Sequence, residues 1–478
     1  MSASHERHRR RRAGALLHPT SLPARPGAAA FIGDLGPAAR EFMTWLHAAG
    51  FGIWQMLPIG PVGAGNSPYS AVSSFAIEPM LLSLEDLVKD GRLPSTAARV
   101  PRSRMPKRIN RVDWATARRF KEPRLHKAFD RFVRTPGGRA PFNRFQNEQA
   151  HWLAEYCDWS QQRDGSDPDY HAFVQYLLHQ QWQRLRSFAH RKRITLFGDL
   201  PIFVGADSAD VAADPELFRL NARGNPTVVT GVPPDHFSAN GQLWGHPHYA
   251  WPAHRKTAFQ WWKDRVTLSL ERFDLLRIDH FVGFVHAFEI SARARTARQG
   301  TWRKTPGREL LGALRKAIGP LPFVAEDLGK RTKAVIDLRK SFGLPGMMIL
   351  QQAVLEGRTT PVSANTALYP GTHDNDTIMG WWRTLSTKER ETATSVLGIT
   401  SAKEVAPAMI DLALASRANS VIFQVQDLLH LGSTARMNRP GVALGNWRWR
   451  MEPGQLTATM ARSLKAHIKK TNRLPKTP

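Results

Sequence analysis

The segment Leu275-Leu276-Arg277-Ile278-Asp279-His280 is a short apolar run that ends abruptly on an acid. Two later segments end in the same way, Phe323-Val324-Ala325-Glu326-Asp327-Leu328-Gly329 and Gly371-Thr372-His373-Asp374-Asn375-Asp376. A carboxylate at the end of a buried strand is costly to desolvate, so three such acids indicate a functional site. They lie 47 and 48 residues apart, which leaves room for one or two strand–helix units in each gap. We therefore expect them to meet at one rim of a closed parallel barrel.

Short apolar segments alternate with amphipathic stretches along the chain. Most of the segments are continuous apolar runs, as expected of strands that are covered on both faces. Strands that alternate with helices are typical of a parallel α/β architecture. The sequence therefore predicts an α/β fold, a (β/α)8 TIM barrel with large inserted subdomains in the βα loops. The predicted strands are Ala15–His18, Ile53–Pro58, Thr195–Pro201, Leu275–Asp279, Phe323–Asp327, Met347–Gln351, Ala367–Thr372 and Ser420–Gln424.

The predicted domain organisation is a single catalytic barrel, 14–454, between a basic disordered tail, 1–13, and a basic C-terminal helix or tail, 455–478. Two connections within the barrel are longer than simple crossovers. The first, about 60–190, contains helical stretches and is predicted to form a helical subdomain. The second, about 202–274, carries Gly- and Pro-rich turns, and we expect it to cover the active site from the C-terminal face of the barrel.

The formal net charge is +27, which at first suggests a nucleic-acid partner. Much of the excess lies in the two termini and in the segment 101–140, away from the acidic runs. No helix-turn-helix, zinc-finger or RNP-type pattern accompanies the charge. We therefore expect a solvated basic surface, with nucleic-acid or polyanion binding as the minority alternative, and the role of 101–140 stays open.

Cys157 is the only cysteine, so no intrachain disulfide is possible and a reducing cytoplasm is the natural compartment. The apolar stretch after the basic N-terminus stops at His18-Pro19, too early for a signal peptide. The sequence contains no apolar run of about 18 residues, so no membrane partner is expected. The pattern predicts a cytoplasmic protein and leaves its oligomeric state open.

Retaining cleavage or exchange of a glycosidic bond needs two carboxyl groups about 5–5.5 Å apart. Asp279 is the predicted nucleophile, because Arg277 lies two residues back on the same strand and would keep the acid ionised. Glu326 is the predicted acid/base, because desolvation after an apolar run raises a carboxyl pKa towards the operating pH. Asp374 is expected to hold sugar hydroxyls and stabilise the oxocarbenium-like transition state, with His373 beside it as a donor.

Other chemistries fit the sequence less well. Each acid taken alone is explained equally well by a salt bridge or a helix cap, whereas three together favour a site. A metal could be held by His280, His373, Asp374 and Asp376, but HExxH and CxxC spacings are absent. Phosphate-binding glycine loops and a GxSxG nucleophile elbow are absent too. We therefore expect no metal and no cofactor.

The chain resembles the amylomaltases, the 4-α-glucanotransferases that disproportionate maltooligosaccharides, over nearly its whole length. Besides the three acidic runs, the resemblance rests on ordered motifs, which are Leu16-Leu17-His18-Pro19-Thr20-Ser21-Leu22-Pro23, Gly65-Asn66-Ser67-Pro68-Tyr69-Ser70, Gly198-Asp199-Leu200-Pro201-Ile202-Phe203-Val204, Gly231-Val232-Pro233-Pro234-Asp235, Gly241-Gln242-Leu243-Trp244-Gly245, Ala435-Arg436-Met437-Asn438-Arg439-Pro440-Gly441 and Gly445-Asn446-Trp447-Arg448-Trp449-Arg450.

The resemblance implies transfer of a 1,4-α-glucan segment to the 4-hydroxyl of an acceptor glucan or glucose, through a covalent glycosyl-aspartate. Its implied partners are maltooligosaccharides and α-glucans such as starch or glycogen. It also implies that Trp244 stacks on the acceptor side, although packing within its own loop is the plain alternative, and that His280 contributes at the strand end. The residues implied to surround the sugar at the cleavage point are Tyr69, Asp199, Arg277, His373 and Asp374.

Two positions depart from the family pattern. Val282-Gly283 stands where the family usually carries Arg-Gly, and His246-Pro247 stands where Asn-Pro is usual. Both leave the acids intact and bear on chain-length preference and rate. The alternatives to transfer are an amylase-type α-glucan hydrolase and a non-catalytic glucan- or polyanion-binding barrel. Water exclusion by the loop 231–249 would favour a sugar acceptor over water.

Overall fold

A computed structural model describes residues 10–25, 31–101, 103, 105–106, 108–135, 139–234, 238–329, 332–358 and 363–475. Some predictions fall outside these residues, and they concern 1–9 of the predicted basic tail, 235–237 of the predicted covering loop, 476–478 at the C-terminus, and 102, 104, 107 and 136–138 of the basic segment.

The described strands are β1 Arg12–Leu16, β2 Ile53–Gln55, β3 Thr195–Pro201, β4 Val228–Val232, β5 Gln242–Pro247, β6 Leu275–Asp279, β7 His286–Ser291, β8 Thr301–Lys304, β9 Phe323–Ala325, β10 Gly346–Ile349, β11 Thr366–Tyr369 and β12 Ser420–Gln424. Within the described residues, eight of them form one parallel sheet in the order β10-β11-β12-β1-β2-β3-β6-β9. The two ends of this sheet meet where the Ala325 amide donates to the Pro345 carbonyl at 2.9 Å. The predicted (β/α)8 TIM barrel is therefore confirmed.

Every predicted strand overlaps an observed barrel strand, but several end earlier than predicted. β2 ends at Gln55 rather than Pro58, and β9 ends at Ala325 rather than Asp327. Where β9 has ended, a side chain takes the place of the backbone hydrogen bonds between strands. The Asp327 carboxylate accepts the Met347 amide at 2.8 Å. At the other end, β1 begins at Arg12, so the last two residues of the predicted tail belong to a strand.

Alternation along the strands decides which side chains enter the barrel. Leu275 packs inside the barrel with Phe197, whereas Leu276 and Ile278 pack against the surrounding helices. Because side chains alternate along a strand, positions 277 and 279 share the inner side with Leu275. In the same way, the inward Phe197 predicts that position 199 points inward on β3. Positions 199 and 277 are also direct partners in the register between β3 and β6.

The described helices are α1 Pro37–Ala48, α2 Leu84–Lys89, α3 Trp114–Arg134, α4 Arg139–Glu148, α5 Leu153–Asp164, α6 Pro168–Arg191, α7 Ala209–Ala213, α8 Trp251–Lys256, α9 Gln260–Arg272, α10 Gly307–Ile318, α11 Lys333–Ser341, α12 Leu350–Leu355, α13 Ile378–Thr384, α14 Thr387–Leu397, α15 Val405–Ala415, α16 Val425–Leu428 and α17 Ala458–Lys470. Helices α3, α4 and α5 pack on α6, which itself leads into β3. The predicted helical subdomain 60–190 thus shares its last helix with the barrel, and α9 likewise belongs to the barrel rather than to the covering loops.

A second sheet, which the sequence analysis did not predict, lies beyond the barrel strands. Among the described residues it has four antiparallel strands in the order β5-β4-β7-β8, so β7 and β8 extend it past the predicted segment 202–274. The pairs Val229–Pro247 and Gly231–Leu243 enclose one residue of β4 but three of β5, 244–246. These three residues form a β-bulge, and bulges next to active sites re-aim side chains.

Two smaller findings concern membranes and the cysteine. Among the described residues, no helix is both long and apolar enough to span a membrane. Cys157 is buried in the core on α5, and burial raises the pKa of its thiol to about 12. A thiol with so high a pKa is a poor nucleophile, so we interpret Cys157 as a packing residue.

Candidate active site

The three predicted acids lie at the same end of the barrel, because each follows a parallel strand. Asp279 is the last residue of β6, Glu326 directly follows β9, and Asp374 lies in the loop after β11. The side chains of Asp279 and Asp374 are 26% and 37% exposed. The acids are therefore accessible from a cleft at the C-terminal rim, where enzymes with this fold have their active sites.

Arg277 connects two carboxylates at the base of this cleft. Its Nη1 lies 2.8 and 3.0 Å from the two oxygens of Asp199 and 2.8 Å from Oδ1 of Asp279. The Tyr69 hydroxyl donates to Asp199 Oδ2 at 2.7 Å. Burial raises the pKa of the Asp199 carboxyl, and the adjacent guanidinium opposes this rise. The arrangement fixes Asp279 in one orientation while one face of its carboxylate stays open to the cleft.

Glu326 is held by backbone amides rather than by a cation. Its Oε2 accepts the His280 amide at 2.9 Å, and its Oε1 accepts the Leu328 amide at 3.0 Å. His280 has φ of 53°, a left-handed conformation that non-glycine residues adopt rarely and mainly where the surrounding structure requires it. Burial raises the pKa of Glu326 to about 7; Arg277 opposes this and the Asp279 carboxylate adds to it. The direction matches the sequence prediction.

Asp374 is positioned from the loop that precedes the C-terminal helix. The Asn438 side chain donates to Asp374 Oδ1 at 2.6 Å, and the Arg436 guanidinium donates to the Asp374 carbonyl at 2.5 Å. His373 Nε2 lies 3.4 Å from Asp374 Oδ2. The His373 ring stacks on Tyr69 with 5.1 Å between ring centroids, and burial lowers its pKa. At neutral pH it is therefore a neutral imidazole that can donate one hydrogen bond.

Trp244 belongs to the β5 bulge and packs against the site rather than within its own loop alone. Its ring meets His280 edge-on at 4.8 Å and lies 6.4 Å from Phe203. Its Nε1 donates to the Gln242 side chain at 3.3 Å. The indole is partly exposed, so one face is available to a ligand in the cleft.

The nine predicted site residues form two chains of contacts, which are joined because Asp279 and His280 are consecutive residues. One chain of contacts runs from Trp244 through His280 to Glu326, and a second runs from Asp279 through Arg277 and Asp199. The second chain continues through Tyr69 to His373 and Asp374. In the described part of the chain, no group of three His, Cys, Asp or Glu side chains is arranged to hold a metal ion. The cation at the centre of the cluster is the Arg277 guanidinium.

Sequence reasoning missed some members of the site. Asn438 and Arg436, which hold Asp374, lie in a motif that was noted without a role for either residue. Trp447 lies in another such motif, and its ring is 5.8 Å from Tyr69 and 6.0 Å from His373. The motifs signalled importance, but the contacts join residues more than 60 positions apart, which spacing alone does not reveal.

Comparison with known proteins gives a consistent set of relatives. The 4-alpha-glucanotransferase family model matches residues 17–168 and 158–457. A 4-alpha-glucanotransferase from Synechocystis sp. is 41% identical, over 94% of this chain and 95% of that protein. One from Thermus thermophilus is 39% identical, over 96% of this chain and 99% of that protein.

Solved structures give the same result at the level of the fold. An amylomaltase from Streptococcus agalactiae, in complex with acarbose, superposes with a TM-score of 0.91 at 30% identity, covering 97% of this chain and 100% of that one. An amylomaltase from Corynebacterium glutamicum superposes with a TM-score of 0.82 at 16% identity, covering 99% of this chain and 77% of that one. The second likeness concerns the fold alone.

Proposed function

The chain belongs to the 4-alpha-glucanotransferase family, and we propose that it moves a segment of a 1,4-α-D-glucan to the 4-hydroxyl of an acceptor glucan or glucose by a retaining double displacement. The observation that carries this proposal is the contrast between two carboxyl groups of the cleft. Asp279 is paired with a guanidinium, whereas burial raises the pKa of Glu326 to about 7. A carboxylate beside a cation suits a nucleophile, and a buried carboxyl group with a raised pKa suits an acid/base.

In the first step, Asp279 forms the covalent intermediate. One carboxylate oxygen supplies an electron pair to the anomeric carbon, and the bond from that carbon to the glycosidic oxygen breaks. Glu326 gives its proton to the departing oxygen, so the leaving glucan is neutral. Arg277, 2.8 Å from Asp279 Oδ1, orients the attacking group. The products of this step are a glycosyl-aspartate and an ionised Glu326.

In the second step, the 4-hydroxyl of an acceptor attacks the same carbon. Glu326, now a carboxylate, takes the hydroxyl proton, and the bond to Asp279 breaks with its electrons returning to the carboxylate. Two inversions give net retention. The enzyme returns to its starting state, with the proton back on Glu326 and the Asp279 carboxylate released from the sugar.

The remaining predicted residues bind the sugar at the cleavage point. Asp374, oriented by Asn438, accepts hydrogen bonds from ring hydroxyls and stabilises the positive charge of the transition state. The neutral imidazole of His373 stacks on the ring of Tyr69 beside Asp374. Their polar atoms suit hydroxyl groups and their faces suit the C–H side of a pyranose.

Two loops support transfer over hydrolysis by covering the acceptor side. A Cβ placed on Gly441 would lie 3.7 Å from the Ser238 side chain, so the loop around 439–446 meets the end of the loop before β5. Trp244 follows this loop on β5, and its ring contacts His280 at the site. A covered, aromatic acceptor side favours a bound sugar over free water. We propose that the segment 231–249 has this role.

The test is a product ladder. Incubation with maltotriose alone should give glucose together with maltopentaose and longer chains, resolved by chromatography. Accumulation of glucose and maltose without longer chains would instead establish the amylase-type hydrolase. Absence of any product, with acarbose still bound, would establish a non-catalytic glucan-binding barrel; acarbose is chosen because the Streptococcus agalactiae relative was solved with it.

A further inference from the structure

His246 is a polar side chain without a polar partner. Both of its ring nitrogens are shielded from solvent, and neither has a hydrogen-bond partner among the described residues. Two other histidines of the same segment differ, since His248 and His254 each place Nε2 within 3.2 Å of a backbone carbonyl. Buried polar atoms are nearly always hydrogen-bonded, so an imidazole with neither nitrogen bonded has the capacity to bind a further polar group.

The β5 bulge carries this imidazole two residues from Trp244, whose ring contacts the site. His246 and Trp244 are the two outer residues of the bulge 244–246, and Gly245 between them has φ of 79°, the left-handed region that favours glycine. Nothing lies within 4 Å of the position that a Cβ on Gly245 would take. The positive φ, and not a lack of room for a side chain, is therefore the reason that glycine suits this position. Trp244 contacts His280, and the Asp279 carboxylate acts electrostatically on the His246 ring.

A second unpartnered nitrogen belongs to His280, whose ring contacts Trp244. Nε2 of His280 is also shielded and has no partner in the described part of the chain. The partly exposed indole therefore contacts one imidazole that has an unused nitrogen, and a second such imidazole lies two residues along β5. A flat apolar face bordered by hydrogen-bonding groups matches the surface of a pyranose, which has C–H bonds on its faces and hydroxyls around its edge.

The protonation state suits a hydroxyl rather than an anion. Burial lowers the pKa of His246 to about 4, although the Asp279 carboxylate opposes this shift. At neutral pH the ring is therefore neutral, with one nitrogen donating and the other accepting. A sugar hydroxyl both donates and accepts, so it satisfies either tautomer.

We propose that His246 recognises the acceptor sugar, by hydrogen-bonding a hydroxyl of the pyranose that lies over Trp244 on the acceptor side of Asp279. The inference rests on the proposed transfer function and adds a specificity-determining residue to it. Asparagine, which the resemblance implies at this point of the motif, is also a donor and an acceptor but has a shorter reach. A longer imidazole contacts a different hydroxyl, or the same one from a different depth, so acceptor preference depends on this residue.

The test separates the two chemical steps by choosing a donor whose leaving group has no hydroxyls. With 4-nitrophenyl α-maltotrioside, the pre-steady-state burst of nitrophenol reports the first step, and the acceleration of steady-state release by added glucose reports acceptor binding in the second step. In His246→Leu, we expect the KM for glucose to rise roughly tenfold, the usual effect of one lost hydrogen bond, and the burst rate constant to fall by clearly less than that. His246→Asn should retain most of the acceptor affinity. His467→Leu, on the surface of α17, is the matched control.

Deoxyglucoses then identify the hydroxyl. The wild type should use one of 2-, 3- or 6-deoxyglucose less well than glucose, and His246→Leu should use both equally well. The effects on acceptor affinity of removing the side chain and of removing the hydroxyl are then non-additive, which shows that the two groups interact. An unchanged acceptor KM in His246→Leu overturns the proposal, and so does an equal loss in both steps. If the leucine variant does not fold, the same measurement is made on His246→Ala, and an unaltered deoxyglucose preference in that variant overturns the proposal. If the wild type makes no transfer product, the proposed function has failed, and that result is distinct from all of these.

Discussion

Two buried ion pairs in this molecule are equally hidden from solvent, but they differ in how many hydrogen-bonding groups of the cation have a partner. The side chains of Arg277 and Asp199 in the cleft are 4% and 0% exposed, and those of Lys121 and Asp34 under the inserted helices are 4% each. The Lys121 ammonium donates to Asp34 and to two backbone carbonyls, which uses all three of its protons. Arg277 instead shares one nitrogen between two carboxylates, and its Nε has no partner among the described residues.

This difference shows that burial alone does not mark a functional charge. Both pairs bear the desolvation cost of buried ions. The Lys121 pair is saturated by the backbone and ties α3 to the segments around it, so we interpret it as structural. The Arg277 pair is incompletely saturated and borders the cleft, so part of its hydrogen-bonding capacity is available to the chemistry. Removing a member of each pair should therefore damage different properties.

The largest effect is expected at the carboxylate that Arg277 presents to the cleft. Asp279→Asn removes the proposed nucleophile, so transfer from maltotriose should fall by roughly 10⁴-fold, as for other essential catalytic groups. Arg277 keeps Asp199, so the melting temperature should change little. Acarbose affinity by calorimetry should stay within about tenfold. Normal turnover in this variant would contradict the assignment of Asp279.

The saturated pair should behave in the opposite way. Lys121→Met leaves Asp34 buried without its cation, and the free energy of unfolding should fall by about 3–5 kcal/mol. The specific activity of the folded enzyme, measured well below the transition, should not change. Denaturant unfolding and initial rates check both statements.

A double variant provides the control for this second prediction. Asp34→Asn combined with Lys121→Met removes both charges and keeps an oxygen that accepts the Gly36 amide. It should recover much of the stability lost by the single variant. A single variant that loses activity but not stability would show that the two pairs do not differ as proposed.

The pH profile tests the other carboxyl group of the cleft. Because burial raises the pKa of Glu326 to about 7, its acid form persists up to neutral pH and is lost above it. The rate of transfer from maltotriose should therefore fall above pH 7, approaching tenfold for each pH unit. With α-maltosyl fluoride, whose leaving group needs no proton, the first step should not show this alkaline fall. A flat profile with maltotriose up to pH 9 would contradict the acid/base role.

Much of the fold could be predicted from the sequence because barrel strands have a simple signature. Thr195–Pro201, Leu275–Asp279 and Ser420–Gln424 have the predicted bounds, since each is an apolar run covered on both faces. The second sheet could not be predicted in this way. Thr301–Lys304 is exposed along its whole length, and the bulge in Gln242–Pro247 breaks the alternation that would mark a strand.

The residues of the site also differ in whether local sequence could predict their position. Arg277 and Asp279 could be placed together because they are two residues apart on one strand, where alternation fixes their common side. The contact from Asn438 to Asp374 spans 64 residues and depends on how a late loop returns to the rim. No periodicity encodes such a contact, so the residue that positions Asp374 emerged from the structure.

The smallest effect is expected at this contact, which again compares a polar group facing the cleft with one that only holds the fold. Asn438→Ala removes a 2.6 Å hydrogen bond to the Asp374 carboxylate, so kcat/KM for maltotriose and acarbose affinity should each fall roughly tenfold. Asn446→Ala is the matched control, because Asn446 bonds the backbone of Arg439 and Val442 in the same loop and makes no hydrogen bond to Asp374 among the described residues. If both variants lose activity equally, the order of the loop is responsible; if only Asn438→Ala does, the bond that orients Asp374 is.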